Sequence, residues 1–429
     1  MGWLTSPSSE SCDAHHNNES QYMKETVYLA GINMTPFGVF FDRSIKDLTR
    51  EAVEGALADA GAQKSDIEAA FFANTSQNIL EGQTVIAGQV ALRSMGFERI
   101  PMVNVENACA SGATAIHMAV SYVRSGMADI ALAVGAEKMN FPDMSKTFAM
   151  FEGGCDVHDV DGVQRIFREL GGEEFDAGSG HRSAFMEVYS TVARAHMREF
   201  GTTQRQFAQI SSKNHQHSVN NPLSHFRKAF SVDEILGARS IGFPLTVPMC
   251  SPMTDGGAAA VICNAAGLKR LKAQRPLKIL ASVIGTGTNR HLANWGQSVT
   301  RLTALRAYEE AGIEAHDVSV AEVHDATAVG ELLQSEYLGF CEIGGGGQLA
   351  ESGATTLGGR IPINTSGGLE SKGHPIGATG IGQMYELALQ LRGEAGQRQV
   401  MNANIGLAEN GGGMFAGEEA VVCINIISK

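Results

Sequence analysis

The chain has 429 residues, 43% of them hydrophobic and 18% charged, enough for two or three ordinary domains or one large core built from two halves. A formal net charge of −13 argues against nucleic acid as the main partner, because a phosphate backbone wants a basic surface, and an anionic ligand would need a local basic patch. Seven widely spaced cysteines with no Cys-x-x-Cys pair exclude a disulfide framework and a zinc ribbon, and suit a reducing cytoplasm. The N-terminus lacks the pattern of a secretory signal, and no apolar run is long enough for a membrane span.

Residues 1–24 are polar, rich in Ser, Asn and His, and read as a loose extension outside the core. A short buried strand is expected at Val27-Tyr28-Leu29-Ala30-Gly31, and strand and helix patterns alternate from there. That alternation predicts an α/β fold with helices on the sheet faces. Leu48 to Gly61 reads as an amphipathic helix closed by Ala-Gly, where glycine suits the left-handed C-terminal position. Asp66 follows as a turn starter, and a strand runs from Ile67 to Phe72.

Next comes a short strand at Val103-Asn104-Val105-Glu106, then Asn107-Ala108-Cys109-Ala110-Ser111-Gly112 at the start of a small-residue helix. A cysteine at a helix N-terminus lies near unpaired backbone N–H groups and the positive end of the dipole, which favour a thiolate nucleophile. Read alone, Cys109 fits equally well as a small core residue. Residues 140–250 break the pattern. They carry Met144, Met150, Met186 and Met197, and a mildly basic run from Lys213 to Arg227 and Lys228. They read as an insertion folded over a site, or as a solvated surface subdomain.

The pattern then repeats. Arg301 to Gly312 echoes the helix Leu48 to Gly61, with Asp317 placed like Asp66 and a strand from Val318 to Val323. His374-Pro375-Ile376-Gly377-Ala378-Thr379-Gly380-Ile381 echoes Cys109 to Ile116. Two halves of one topology would pack about a pseudo-two-fold axis and place Cys109 and His374 at equivalent helix starts. The N-terminal half is expected to comprise 25–139 and 251–275, the insertion 140–250, and the C-terminal half 276–429.

Three later segments complete the candidate chemistry. His324 ends a strand in Glu322-Val323-His324-Asp325-Ala326, the usual place for functional groups in α/β sheets. Asn364 to His374 is a glycine-rich loop entering a helix. Asn402 to Gly413 ends in glycines that let a backbone approach a ligand and offer N–H donors. A lone histidine is more often structural, and a glycine loop is often only a turn. Together the segments suit carbon–carbon bond chemistry beside a thioester. Cys109 would be the nucleophile and His374 its base. The backbone N–H groups of Cys109 and Gly406 would receive one oxyanion, and His324 with His374 a second carbonyl oxygen.

Over about residues 25–429 the chain resembles the thiolase superfamily, most of all its sterol-carrier-protein-2-type branch. Asn107 to Gly112 resembles the nucleophile motif, Ser371-Lys372-Gly373-His374-Pro375 to Gly380 the Gly-His-Pro motif, and His324-Asp325 with Glu331 the branch's His-Asp-Cys-Phe…Asn-Glu motif. Asn404-Ile405-Gly406 resembles its C-terminal Asn-Leu-Gly segment. The resemblance implies a five-layer αβαβα fold with a loop domain over the site, a homodimer or homotetramer, and coenzyme A thioester substrates. It implies no metal and no tightly bound cofactor, with coenzyme A as co-substrate. Ser371, Lys372 and Gly373 would touch that co-substrate near the site, and Lys213, Arg227 and Lys228 its phosphates. Two departures stand out. The second cysteine of thiolases is absent from both usual positions, which hold Ala326 and Asn404. Relatives lacking usual acid/base groups include subunits that work with a small zinc-ribbon/OB-fold protein, among them thiolases for aroylsuccinyl-CoA. The expectation is an acyl-CoA C-acyltransferase working through acyl-Cys109 on a bulky or aromatic 3-oxoacyl-CoA. The other readings are an acyl-CoA-binding subunit, or a biosynthetic condensing enzyme active only with such a partner.

Overall fold

The computed structural model describes residues 25–142, 145–159, 161–171 and 184–429. The N-terminal extension with Cys12, and Met144 of the insertion, lie outside the described residues. The strands are β1 (Val27–Met34), β2 (Ala69–Ala73), β3 (Met102–Val105), β4 (Ile130–Glu137), β5 (Ser240–Gly242), β6 (Leu245–Thr246), β7 (Gly256–Cys263), β8 (Leu277–Thr286), β9 (Val320–Glu322), β10 (Ile405–Gly412) and β11 (Val421–Ser428). All but the β5–β6 hairpin join in the order β3-β2-β4-β7-β1-β8-β11-β10-β9. The seam between the halves is short: β1 meets β8 only at Val27, Tyr28 and Leu29.

The two halves repeat each other strand for strand about that seam. β2 and β4 run parallel in one half, as β9 and β10 do in the other, and each half closes with antiparallel strands toward the seam. Even the edge recurs, since Ile363 pairs in parallel with Ala321 of β9 as β3 pairs with β2. The sequence echo extends to the caps. Ser44 caps the helix Ile45–Ala60 and Ser298 caps Val299–Ala311, and both helices end at a left-handed glycine, Gly61 (φ 62) and Gly312 (φ 68). Asp66 and Asp317 each accept the backbone N–H three residues back, at 2.7 and 2.9 Å, closing matching one-turn helices.

Side-chain alternation along the strands builds the layers. Phe71 and Phe72, each 1% exposed, point to opposite faces of the sheet, and each contributes roughly 1.5–3 kcal/mol by burial. Phe72, Leu132 and Val261 pack under the outer helix Ile45–Ala60. Phe71, Ala133 and Ile262 face inward onto Ile116, Val120, Ile381 and Met384 of two central helices, Ser111–Arg124 and Thr379–Arg392. Ala408 and Ile427 cover those helices from the other half, whose outer face carries the helix Val299–Ala311. The result is five layers, αβαβα. No described helix is long and apolar enough to cross a membrane.

The central helices begin almost in contact. A Cβ on Gly112 would lie 2.8 Å from the Gly377 oxygen, and one on Gly380 would lie 2.4 Å from the Ala113 nitrogen. Between β4 and β7 the chain leaves the sheet. Its described part includes the helices Ala184–Phe200 and Gln204–Ser218, and it packs Val188, Phe207 and Ile210 against Val329 and Leu332 of the C-terminal half. A methyl group at the crossing has nowhere to go. Gly380→Ala is expected to lose about 1–3 kcal/mol of stability by urea unfolding. Gly296→Ala, where nothing lies within 4 Å, should stay within about 0.5 kcal/mol of the parent.

Candidate active site

Three loops deliver the reactive side chains to one point. Cys109 follows β3 in a tight turn in which Ala108 takes a left-handed φ of 47. Ser111 stabilises that turn by accepting the Asn107 N–H at 2.9 Å and donating to the Ala108 carbonyl at 2.6 Å. His324 follows β9, and its N–H is held at 2.9 Å by the Glu409 carboxyl on β10. The neighbouring Asp325 accepts the Leu369 N–H at 2.7 Å, tying the His324 loop to the glycine loop. That loop turns through Gly367 (φ 107), Gly368 (φ 61) and Gly373 (φ 110) before His374. Gly368 must lack a side chain, since a Cβ would lie 2.1 Å from Asp325.

The Cys109 sulfur and one ring nitrogen from each of His324 and His374 lie within 4.8 Å of one another, with the imidazole centroids 5.3 Å apart. Both histidines are buried and Cys109 is half-buried. The three line a cavity of about 1290 Å³ with mainly apolar walls, including Phe151, Phe185, Tyr189, Trp295 and Tyr337.

Neighbouring groups give the two imidazoles opposite characters. Thr379 Oγ1 donates its one hydrogen to the Pro375 carbonyl at 3.1 Å, so its 2.7 Å contact with His374 Nδ1 has the ring donating. His374 Nε2 is left with a free lone pair. Burial, then the charges of His324 and Lys372, push the His374 pKa well below the usual histidine value, which keeps it a neutral base. At His324 burial also opposes the charge. The nearby Cys109 and Glu419 outweigh it, and the pKa stands well above the usual value. Its Nδ1 lies 3.4 Å from Glu419 Oε1, and its Nε2 is buried without a hydrogen-bond partner. The Glu409 carboxyl is raised to about 8 by burial and by the Glu419 charge, and so is largely protonated at neutral pH.

Several expected residues stand elsewhere. Gly406 lies within β10, opposite Val320 and Ile427, with its open side against Leu387, so its backbone belongs to the sheet ladder and not to an oxyanion site. The glycines that reach the Cys109 turn come at and just past the end of that strand: a Cβ on Gly412 would lie 2.3 Å from the Asn107 oxygen, and Gly413 lines the cavity beside Cys109. Asn404 is exposed at the start of the same strand, outside the cavity. Ala326 does line the cavity, and brings no acid or base there.

The expected coenzyme contacts divide. Lys213 is buried and paired with Glu331, because it sits on the inner face of the helix Gln204–Ser218. Lys372 is buried against Glu322 at 3.3 Å. Ser371 is enclosed by Ser218 at 2.6 Å and His215 at 3.0 Å, and Gly373 packs against Thr254. None of these four lines the cavity or can meet a phosphate. Arg227 and Lys228 are exposed, beside Phe226 and Phe230, which do line it. Glu409 and Glu419 escaped the sequence reading. Their only signal is proximity to the Gly411-Gly412-Gly413 run, where a Cβ on Gly411 would lie 1.9 Å from Glu419 Oε1.

Family models match both halves: the thiolase N-terminal domain over residues 27–235 and the thiolase C-terminal domain-like model over 286–425. Sterol carrier protein 2 of Bos taurus is 37% identical over 400 residues, covering 90% of this chain and 70% of its own. The benzoylsuccinyl-CoA thiolase subunit BbsB of Thauera aromatica is 32% identical over 384 residues, covering 88% and 92%. Among solved structures, the Ltp2-ChsH2(DUF35) aldolase matches in fold with a TM-score of 0.73 at 22% identity, covering 93% of this chain and 97% of that one. With two thiolase models along its length and sequence identity of this extent to sterol carrier protein 2, the chain belongs to the thiolase family, in the sterol-carrier-protein-2-type branch, and is an acyltransferase.

Proposed function

We propose that the chain cleaves, or in reverse forms, a 3-oxoacyl-coenzyme A through an acyl group carried on Cys109. The observation that carries this reading is the convergence of the Cys109 sulfur with His324 and His374 within 4.8 Å at the wall of a large apolar cavity. His374 takes the thiol proton on Nε2, and the sulfur attacks the β-carbonyl. The carbon–carbon bond breaks, and His324 steadies the enolate that leaves. Coenzyme A then removes the acyl group, so one difficult displacement becomes two easier ones. Backbone N–H groups of the Cys109 turn and of Gly413, which lines the cavity, are suited to receive the oxyanion.

Cavity size argues for a large acyl group. Small-ligand pockets commonly span about 300–1,000 Å³, and this one is larger and walled by aromatic rings. A benzoylsuccinyl-CoA thiolase subunit among the relatives supports an aroylsuccinyl or similar aromatic acyl chain. Arg227 and Lys228 on the exposed loop are suited to the coenzyme phosphates. Unpaired sulfur at all six described cysteines agrees with a cytoplasmic setting.

A second reading is favoured by Ala326, which leaves that position without the branch's thiol; Cys250, which also lines the cavity, is pushed up to about 12 by burial. Here the chain works as one subunit with a small zinc-ribbon/OB-fold protein. The BbsB relative is itself a thiolase subunit, and the similar aldolase structure combines Ltp2 with ChsH2(DUF35), which supports such an arrangement. A biosynthetic condensation uses the same residues in reverse. A homodimer or homotetramer is the expected assembly of the chain itself.

Coenzyme A consumption across short, branched and aromatic 3-oxoacyl thioesters, with and without co-purifying protein, tests both readings. Activity of the isolated chain on aromatic substrates supports the first, and activity only with a small partner supports the second. Cys109→Ala is expected to lose at least about 10³-fold in kcat, and the parent should show the acyl mass on Cys109 after brief substrate exposure. Undiminished turnover by Cys109→Ala would rule out the covalent route. Because His374 titrates far below 6.5 and His324 far above it, kcat should run flat through pH 6.5. An inflection at that pH would contradict the assigned protonation states.

A further inference from the structure

The β10–β11 connection places a carboxylate beside the cluster of Cys109, His324 and His374, which the other cavity-lining thiol, Cys250, does not join. Glu419 lines the cavity with Cys109, His324 and His374, and its side chain is 18% exposed. It is held from two directions. Thr300 donates to Oε2 at 3.0 Å, and Gln334 Nε2 donates to both oxygens at 3.1 and 3.3 Å. The next residue back, Glu418, anchors the connection through Arg290 at 2.8 Å and the Val299 N–H at 3.1 Å. A side chain at Gly411 would displace Glu419, so the strand opposite is cut away to receive it. What this anchored carboxylate meets is His324 Nδ1, at 3.4 Å. The other ring nitrogen, Nε2, is buried and unpartnered, and the Cys109 and His374 side chains close the site around it.

Resting on the reading above, we propose that Glu419 is a positioning residue that holds His324 as an imidazolium, and that this pair supplies the proton thiolases ordinarily take from a second cysteine. In the first half-reaction the Cys109 proton passes to His374 Nε2. The sulfur adds to the β-carbonyl, the carbon–carbon bond breaks, and its electron pair leaves in the enolate. The enolate takes the proton on His324 Nε2, and His324 is left neutral with Nδ1–H still directed at Glu419. In the second half-reaction coenzyme A gives its thiol proton to His324 Nε2 as its sulfur attacks the acyl group. Cys109 departs as a thiolate and recovers its proton from His374. Both histidines and the cysteine return to their starting states.

The raised pKa of His324 agrees with this role. The titratable and charged groups around the ring are Glu419 and Glu409 from the β10–β11 hairpin, Cys109 and His374 from the helix starts, Asp325 beside it, and Tyr189 from the insertion. Of these Glu419 is the carboxylate at Nδ1, whereas Glu409 holds the His324 backbone N–H.

The test uses the full chain with acetoacetyl-coenzyme A, following thiolysis against pH and deuterium entry into acetyl-coenzyme A in heavy water. Glu419→Gln is expected to lose roughly 100-fold in kcat and in deuterium exchange, with KM for coenzyme A within about two-fold. Its alkaline limb of kcat should move to lower pH, and Glu419→Asp should restore most of both. Unchanged kcat and an unshifted limb in Glu419→Gln would overturn the proposal. Should that variant fail to fold, an NMR titration of His324 in the parent protein decides: an imidazolium above pH 7.5 supports the pair, and a neutral ring at pH 7 overturns it. Acylation of Cys109 separates the two readings. A parent enzyme that never acylates defeats the thiolysis mechanism, whereas an acylating enzyme indifferent to Glu419→Gln defeats only the pair.

Discussion

The two central helices can start side by side only because Gly112 and Gly380 carry no side chains. Backbone meets backbone there at distances a single methyl group would forbid. Cys109 and His374 sit just upstream, one on each chain entering the crossing, so the approach of the helices becomes the approach of the thiol and the imidazole. Gly135 on β4 continues the same economy of space, since a Cβ there would lie 2.0 Å from the Gly377 oxygen. Glu137 closes the arrangement. Its buried carboxyl accepts the Gly377 N–H at 2.8 Å and the Ser76 N–H at 2.9 Å, joining the Gly-His-Pro loop to the N-terminal sheet. Positioning of this thiol–imidazole pair is therefore a property of the fold's centre and not of a mobile surface loop.

Placing two histidines 5.3 Å apart in a buried site creates an electrostatic problem. Two imidazolium charges at that distance repel by about 3 kcal/mol at an effective dielectric of about 20. The protein assigns the rings different partners. A threonine hydroxyl gives His374 no stake in being charged, and a carboxylate gives His324 every reason to be. Glu409 matters by remaining largely neutral: a second full negative charge beside Glu419 would be costly in the same enclosure. The two rings are thereby pushed in opposite directions, His374 toward the neutral form and His324 toward the charged one, which one shared solvent environment could not produce.

The sequence exposed the frame of this site more clearly than its interior. Local rules govern the helix ends at Gly61 and Gly312 and the turns at Asp66 and Asp317, and those rules made the internal repeat visible. The repeat in turn paired Cys109 with His374. Gly406 was misplaced because a short Asn-Ile-Gly match said nothing of strand register. The glycines that matter lie at the other end of β10, where the chain leaves the sheet. Lys213 was misplaced because a basic run on a helix does not declare which side faces inward. Glu419 was invisible for a different reason. Its meaning comes from Thr300, Gln334 and His324, each remote in sequence, and only the closed fold assembles them.

Strand order also bears on how the chain is made. β7 lies between β4 and β1, pairing with eight residues of one and six of the other. It arrives only after the whole insertion, so the first half has no continuous sheet until residue 263 is available. The last partner of His324 comes later still, on the connection before the final strand. During synthesis the cysteine is present early, but the groups that would arm it are not. The surroundings of Cys109 are complete only when both halves have closed around it.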